Sequence, residues 1–199
     1  MYRAVFVRRD GIILHPTGDG ANGCQGPLFY PGALDALGRL ARAGLHVAIV
    51  VGAVGRCSVE VRVVEQAYRR MVEVVEGSGG HIAQVYRAAG YLGGATAWPQ
   101  SLAGLLSSEA YKREIGLAGS YLVGDTATDI EAARALGCRA CYLVLTGRGR
   151  QQLARCWLRG ERGFHVAFDL SAAAEAIVEE ERATVGEPVA VLLRETAAQ

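Results

Sequence analysis

Two short stretches of this chain carry residue types and spacings that could do chemistry. Arg8-Arg9-Asp10-Gly11 follows one apolar run, and Gly124-Asp125-Thr126-Ala127-Thr128-Asp129 follows another, Tyr121-Leu122-Val123. A carboxylate at the carboxyl end of a strand lies where open α/β sheets bind their ligands, so Asp125 is a candidate for that role. Thr128 and Glu131 have capping-box spacing, which would start a helix there and place Asp129 in its first turn, where the helix dipole favours negative charge. Gly137 supplies the left-handed stop. An ordinary strand-helix joint with an acidic cap explains the same residues, and this segment alone does not decide. Arg8 and Arg9 offer two readings as well: binding an anion together with strand-end backbone amides, or neutralising the acids beside them.

Other chemistry-bearing residues read as structural. Cys24, Cys57, Cys138, Cys141 and Cys156 are an odd, scattered set that suggests no disulfide framework. Cys138 and Cys141 have C-x-x-C spacing but no second pair and no suitably spaced His, so buried thiols are expected rather than zinc ligands. Cys57 has no base positioned for it in the sequence. His15, His46, His81 and His165 share no ligand spacing, Arg148 and Arg150 read as surface charge by default or as an extension of the Arg8–Arg9 anion patch, and Trp98 beside Pro99 reads as a packing anchor.

The elements that must position these residues follow from periodicity. Strands are expected at 2–7, 45–51, 81–85, 121–124, 139–145 and 164–168, with half a small hairpin at 12–14. Helices are expected from Pro31-Gly32 to Gly44 and from a Ser58 cap along the stripe Val61, Val64, Tyr68, Met71 and Val75. Further helices fit 101–115, the segment after Asp125, a short piece at 151–158, and 171–181. Residues 15–26 and 90–100 read as irregular. The alternation predicts an α/β fold: a Rossmann-like, doubly wound parallel sheet with helices on both faces and a small cap or none. One domain is expected over 1–182, with 183–199 a tail that restarts at Val189-Ala190-Val191-Leu192-Leu193 as an extra strand or a docking segment.

Composition narrows the function. The chain has 199 residues, is 51% hydrophobic, and carries a formal charge of +1, which favours a packed core and points to neither nucleic acid nor an acidic membrane surface. There is no signal-peptide pattern and no apolar run long enough to span a bilayer, so a cytoplasmic protein is expected.

Taken in order, these pieces resemble the haloacid dehalogenase (HAD) superfamily of phosphatases, closest to its branch of heptose bisphosphate and histidinol-phosphate phosphatases. The resemblance rests on Ala4 through Gly11, Pro31 through Leu37, Leu122 through Asp125 with Asp129 through Ala133, Val144 through Gly149, and Phe168-Asp169-Leu170. It implies phosphoryl transfer through an aspartyl phosphate. A strand-end Asp is the nucleophile, and a second Asp two residues on is the acid/base. A Thr or Ser and a Lys hold the phosphate, and magnesium is held in part by the fourth-motif Asp.

Matched residue by residue, the chain departs from that set. Gly11 fixes the register, so Asp10 keeps the acid/base position while Arg8 takes the nucleophile's place, and a guanidinium cannot accept a phosphoryl group. Val51 falls at the hydroxyl position and Trp98 at the lysine. Asp125 and Asp129 keep the magnesium-site positions. Residues 85–97, where the branch carries a zinc loop, contain no Cys or His, so no zinc is expected. The binding candidates are Arg8, Arg9, Gly11 and Gly124, with Arg8 expected to stand in for the metal and pair with Asp125 and perhaps Asp10. A non-catalytic relative that binds a phosphorylated small molecule or a partner protein follows, with no cofactor, or magnesium if the site still holds metal. A slow magnesium-dependent phosphatase using Asp10 and Asp125, and a structural oligomer joined through its tail, are the alternatives.

Overall fold

Six parallel strands form one sheet in the order β3-β2-β1-β4-β5-β6. They are β1 (Ala4–Arg8), β2 (His46–Val51), β3 (Ile82–Arg87), β4 (Tyr121–Gly124), β5 (Ala140–Val144) and β6 (His165–Ala167). The helices are α1 (Ala33–Arg42), α2 (Ser58–Gly77), α3 (Trp98–Lys112), α4 (Ala127–Leu136), α5 (Gly149–Leu158) and α6 (Leu170–Val185). This computed structural model describes residues 1–15, 28–51, 58–77, 82–87 and 98–185. The expected Rossmann-like α/β sheet is therefore present. The expected loop over most of 15–26, the turn after β2 with Cys57, the zinc-loop segment after β3 and the tail from 186 lie outside the described residues.

Period-two alternation along β1 divides its side chains between two cores. Val5 and Val7 join Val47, Ile49, Tyr121, Val123 and Val144 in a cluster closed by α1, α2 and α6. Ala4 and Phe6 join Ala48, Val50, Leu122 and Leu143 in a cluster closed by α3, α4 and α5. These runs are buried on both faces, as a sheet covered on both sides requires. The same alternation sends Arg8 toward the α4 face and Arg9 toward the α1–α2 face.

Several boundaries differ from the sequence expectation. β1 starts two residues later than expected and ends one residue later, at Arg8, which still pairs in register with Val50 of β2. α3 begins at Trp98, since Pro99 in a first turn forfeits no hydrogen bond. Its start absorbs part of the segment that reads as irregular. The expected half-hairpin at 12–14 is present as one short antiparallel pairing, Leu14 opposite Phe29 with the Tyr30 amide donating to the Ile13 carbonyl and the His15 amide to the Leu28 carbonyl, entered by a turn in which the Ile13 and Leu14 amides donate to the Arg9 carbonyl. α6 runs from Leu170 to Val185, longer than the helix expected over 171–181. Glu181 anchors that helix by accepting the Tyr121 hydroxyl at 2.8 Å and by an ion pair with Arg3 at 2.6 Å.

Of the predicted stripe on α2, Met71 and Val75 are buried while Tyr68 is partly exposed. Burial pushes the Cys138 thiol up to about 12 and the Cys141 thiol well above its ordinary value, which leaves both protonated and unreactive at neutral pH. No helix among the described residues is long and apolar enough to cross a membrane.

Candidate functional site

The site forms at the carboxyl ends of β1 and β4, the two central strands. Arg8 ends β1 and is 8% exposed, and Asp125 follows β4 and is 2% exposed. α4 then starts, but not with the cap that the sequence suggests. Thr126, in extended conformation, is the N-cap, and its hydroxyl accepts the Asp129 amide at 3.3 Å. The Asp129 carboxylate reaches back in turn, its Oδ2 accepting the Thr126 amide at 3.1 Å and the Asp125 amide at 3.2 Å. The capping box is therefore Thr126 with Asp129 rather than Thr128 with Glu131. Asp serves at the third helical position because the strand ends two residues before the helix, leaving amides close by to satisfy.

Asp129 has a second duty. Its Oδ1 accepts Arg8 Nη1 at 3.3 Å, in an ion pair with Asp129 fully buried. The expectation that Arg8 pairs with Asp125 and Asp10 is corrected here, because each of those carboxylates is held by another arginine. Arg9 donates Nε to Asp10 Oδ1 at 2.8 Å and Nη2 to Asp10 Oδ2 at 2.9 Å, a bidentate fork. Asp125 Oδ2 accepts the Arg148 backbone amide at 3.0 Å, with Arg148 Nε at 3.8 Å. Arg8 reaches Asp125 through its field, which favours the ionised carboxylate.

The sequence offers Arg148 as surface charge or as an extension of an anion-binding patch, not as a partner of Asp125. Its role depends on the turn between β5 and α5, which folds over Asp125 and is fixed by the Gly147 amide donating to the Tyr30 hydroxyl at 3.1 Å. The one available signal was Gly147-Arg148-Gly149, a turn composition that admits close approach. Two glycines make the packing possible. Gly11, at φ 81°, lies so near the Asp125 carboxylate that a Cβ would collide with Oδ2, and a Cβ on Gly124 would strike the Asp129 side chain.

Of the remaining candidates, Val51 is 2% exposed at the end of β2 and presents no donor. Trp98 opens α3, and its side chain lies outside the described residues. The structure thus brings together Arg8, Gly11, Gly124, Asp125 and Asp129, and sets the Arg9–Asp10 fork on the other side of β1.

The donor set does not fit a divalent cation. One feature favours it: Asp125 Oδ1 is buried with no hydrogen-bond partner. Against it, both Asp129 oxygens are engaged by the helix cap and by Arg8, and the Arg8 guanidinium occupies the neighbourhood in which a second anionic ligand is needed. Among the described residues no group of three His, Cys, Asp or Glu side chains could hold a metal ion.

Burial raises the Asp125 carboxyl above its ordinary 3.8, outweighing the opposing pull of the Arg148 amide. An acid whose folded-state pKa is raised loses stability as pH climbs from its unfolded value through the folded one, and the cost persists above both. Asp125→Asn keeps an oxygen for the Arg148 amide and removes the buried charge. Its unfolding free energy in urea is expected to fall less than that of the wild type as pH climbs above the ordinary carboxyl value of 3.8. A steeper fall for the variant would contradict the assignment.

Comparisons with known proteins identify the fold and the family. Residues 99–173 match the HAD-hydrolase-like family model. The D-glycero-D-manno-heptose-1,7-bisphosphate 7-phosphatase of Thermosynechococcus vestitus is 30% identical over 187 residues, covering 87% of this chain and 94% of that protein. The corresponding enzyme of Pseudomonas aeruginosa is 30% identical over 178 residues, covering 88% and 97%. The crystal structure of D,D-heptose 1,7-bisphosphate phosphatase from B. bronchiseptica, complexed with magnesium and phosphate, superposes with a TM-score of 0.72 at 27% identity, over 89% of this chain and 99% of that one. With full-length relatives at this level and the same sheet, the chain belongs to the HAD-like hydrolase family, in its heptose bisphosphate phosphatase-like branch.

Proposed function

We propose that this protein is a cytoplasmic, non-catalytic member of its family that acts by binding a phosphorylated small molecule or a partner protein. The observation that carries the reading is Arg8. At the strand-end position where the family's chemistry needs a nucleophilic carboxylate, the chain has a buried guanidinium paired with Asp129. A cation that stays protonated in any accessible pH range neither attacks phosphorus nor binds magnesium. Asp10, at the acid/base position, is clamped by the Arg9 fork, and Val51 offers no hydroxyl to a phosphate. Arg8 does instead what a metal ion would do for the local charge: it offsets part of the negative field of Asp125 and Asp129.

The test is phosphate release from a panel of sugar phosphates and a generic aryl phosphate with magnesium present. Wild type runs beside Asp10→Asn and Asp125→Ala, which expose any contaminating phosphatase. Equal background from all three is the expected result. Turnover confined to the wild type would overturn the proposal and make this a slow phosphatase.

A further inference from the structure

The sheet ends on β6, whose outer edge is open among the described residues. Ala167 turns its carbonyl inward to accept the Leu145 amide at 2.9 Å, so backbone alternation turns the Val166 amide and carbonyl outward. Exposed apolar side chains flank that edge: Val166 and Phe168 on and just past β6, and Trp157 and Leu158 at the end of α5 that leads to it. Such an edge is a template for a further strand. The opposite edge, β3, is blunted, because it slips out of register in its own pairing and carries Gln84 and Arg87.

Beyond α6 the sequence holds a candidate for that strand. Val189-Ala190-Val191-Leu192-Leu193 is an apolar run set between Glu187-Pro188 and Arg194-Glu195. The topology turns it away from its own β6. α1 and α2 lead from β1 through β2 to β3 on one face of the sheet, and α4 and α5 lead from β4 through β5 to β6 on the other. Opposite steps on opposite faces make all four crossovers right-handed. α6 lies on the α1 face, so a parallel strand added after it outside β6 would complete a left-handed crossover. An antiparallel strand fails on reach. α6 finishes where the strands begin, with Thr184 accepting Arg139 Nη2 at 3.0 Å. Gly186 to Pro188 then span at most about 10 Å, whereas β5 rises roughly 17 Å to the end from which an antiparallel strand would start.

We propose that residues 189–193 of one copy add as a strand to the β6 edge of a second copy, each giving its tail and receiving the other's in a two-fold dimer. A second copy carries the same edge without the handedness constraint, because no helix joins the donated strand to the sheet that accepts it. The lengths agree: Phe164 to Phe168, centred on β6, matches the apolar run of the tail residue for residue. The interface does not depend on the Arg8–Asp129 pair or on whether the protein turns over a phosphate ester.

Sedimentation velocity of the full chain from roughly 1 to 100 µM tests the proposal, and a species of twice the chain mass is expected. Val191→Pro removes a ladder amide from the donated strand, and Val166→Pro removes one from the open edge while leaving the pairing with β5 in place. Each is expected to raise the dimer dissociation constant at least about tenfold. Circular dichroism establishes that both variants fold, and Val191→Pro alone suffices if Val166→Pro does not. A wild type that stays monomeric overturns the proposal. If its melting temperature then falls in Val191→Pro, the chain's own tail covers the edge, and if it does not, the edge is left to a partner of another kind. A dimer of unchanged affinity in either folded variant overturns the proposal equally.

Discussion

Arg8→Asp is expected to unfold far more readily than the wild type in the presence of EDTA and to regain much of the loss when magnesium is added. The substitution replaces a buried cation with a third carboxylate beside Asp125 and Asp129, which are 2% and 0% exposed. Asp129 then loses its ion pair, and the new charge has no partner, so the cost is on the order of 3–5 kcal/mol. For a chain of this size that lowers the melting temperature by roughly 10 °C. The variant also creates what the wild type lacks, two strand-end carboxylates facing one another with Asp125 Oδ1 unpartnered. Magnesium at about 100 times its dissociation constant would return about 2.7 kcal/mol. The wild type is expected to show no magnesium-dependent shift, and differential scanning fluorimetry with and without the metal reads both proteins. If the wild type shifts as much as the variant, Arg8 does not stand in for a metal. Phosphate release is expected to stay at background in the variant, since Val51 still presents no hydroxyl.

Asp129→Ala tests the other half of the pair. One carboxylate holds the start of α4 and balances Arg8, so its removal takes the Asp129 charge away from a buried guanidinium and opens the capping box together. The ion-pair part is expected to cost about 3–5 kcal/mol and the cap about 1 kcal/mol more. Arg8→Met separates the two, because an apolar side chain of similar reach leaves no buried cation behind. In the Arg8→Met background, Asp129→Ala should cost only the cap, about 1 kcal/mol. Urea unfolding of the four proteins closes the cycle, and equal costs of Asp129→Ala in both backgrounds would show that the pair contributes nothing.

What the sequence determined by itself was the fold and the two strand ends at which the charged residues gather. Runs such as Ala4–Val7 and Tyr121–Val123 are buried on both faces, so they are apolar throughout and announce parallel central strands without help from distant residues. Gly11 was legible too, because its positive φ and its contact with Asp125 demand a glycine there. What tertiary structure decided was the choice of partners. Three arginines and three aspartates admit several pairings, and spacing along the chain does not rank them. Strand alternation sent Arg8 and Arg9 to opposite faces, which gave Asp10 to Arg9. The turn from β5 to α5, more than 20 residues from Asp125 along the chain, brought in Arg148. That left Asp129 for Arg8, at a distance set by the packing of α4 against β1 and β4. The cap moved from Thr128 to Thr126 for a related reason: where β4 stops fixes which amides are orphaned, and the nearest hydroxyl and carboxylate satisfy them.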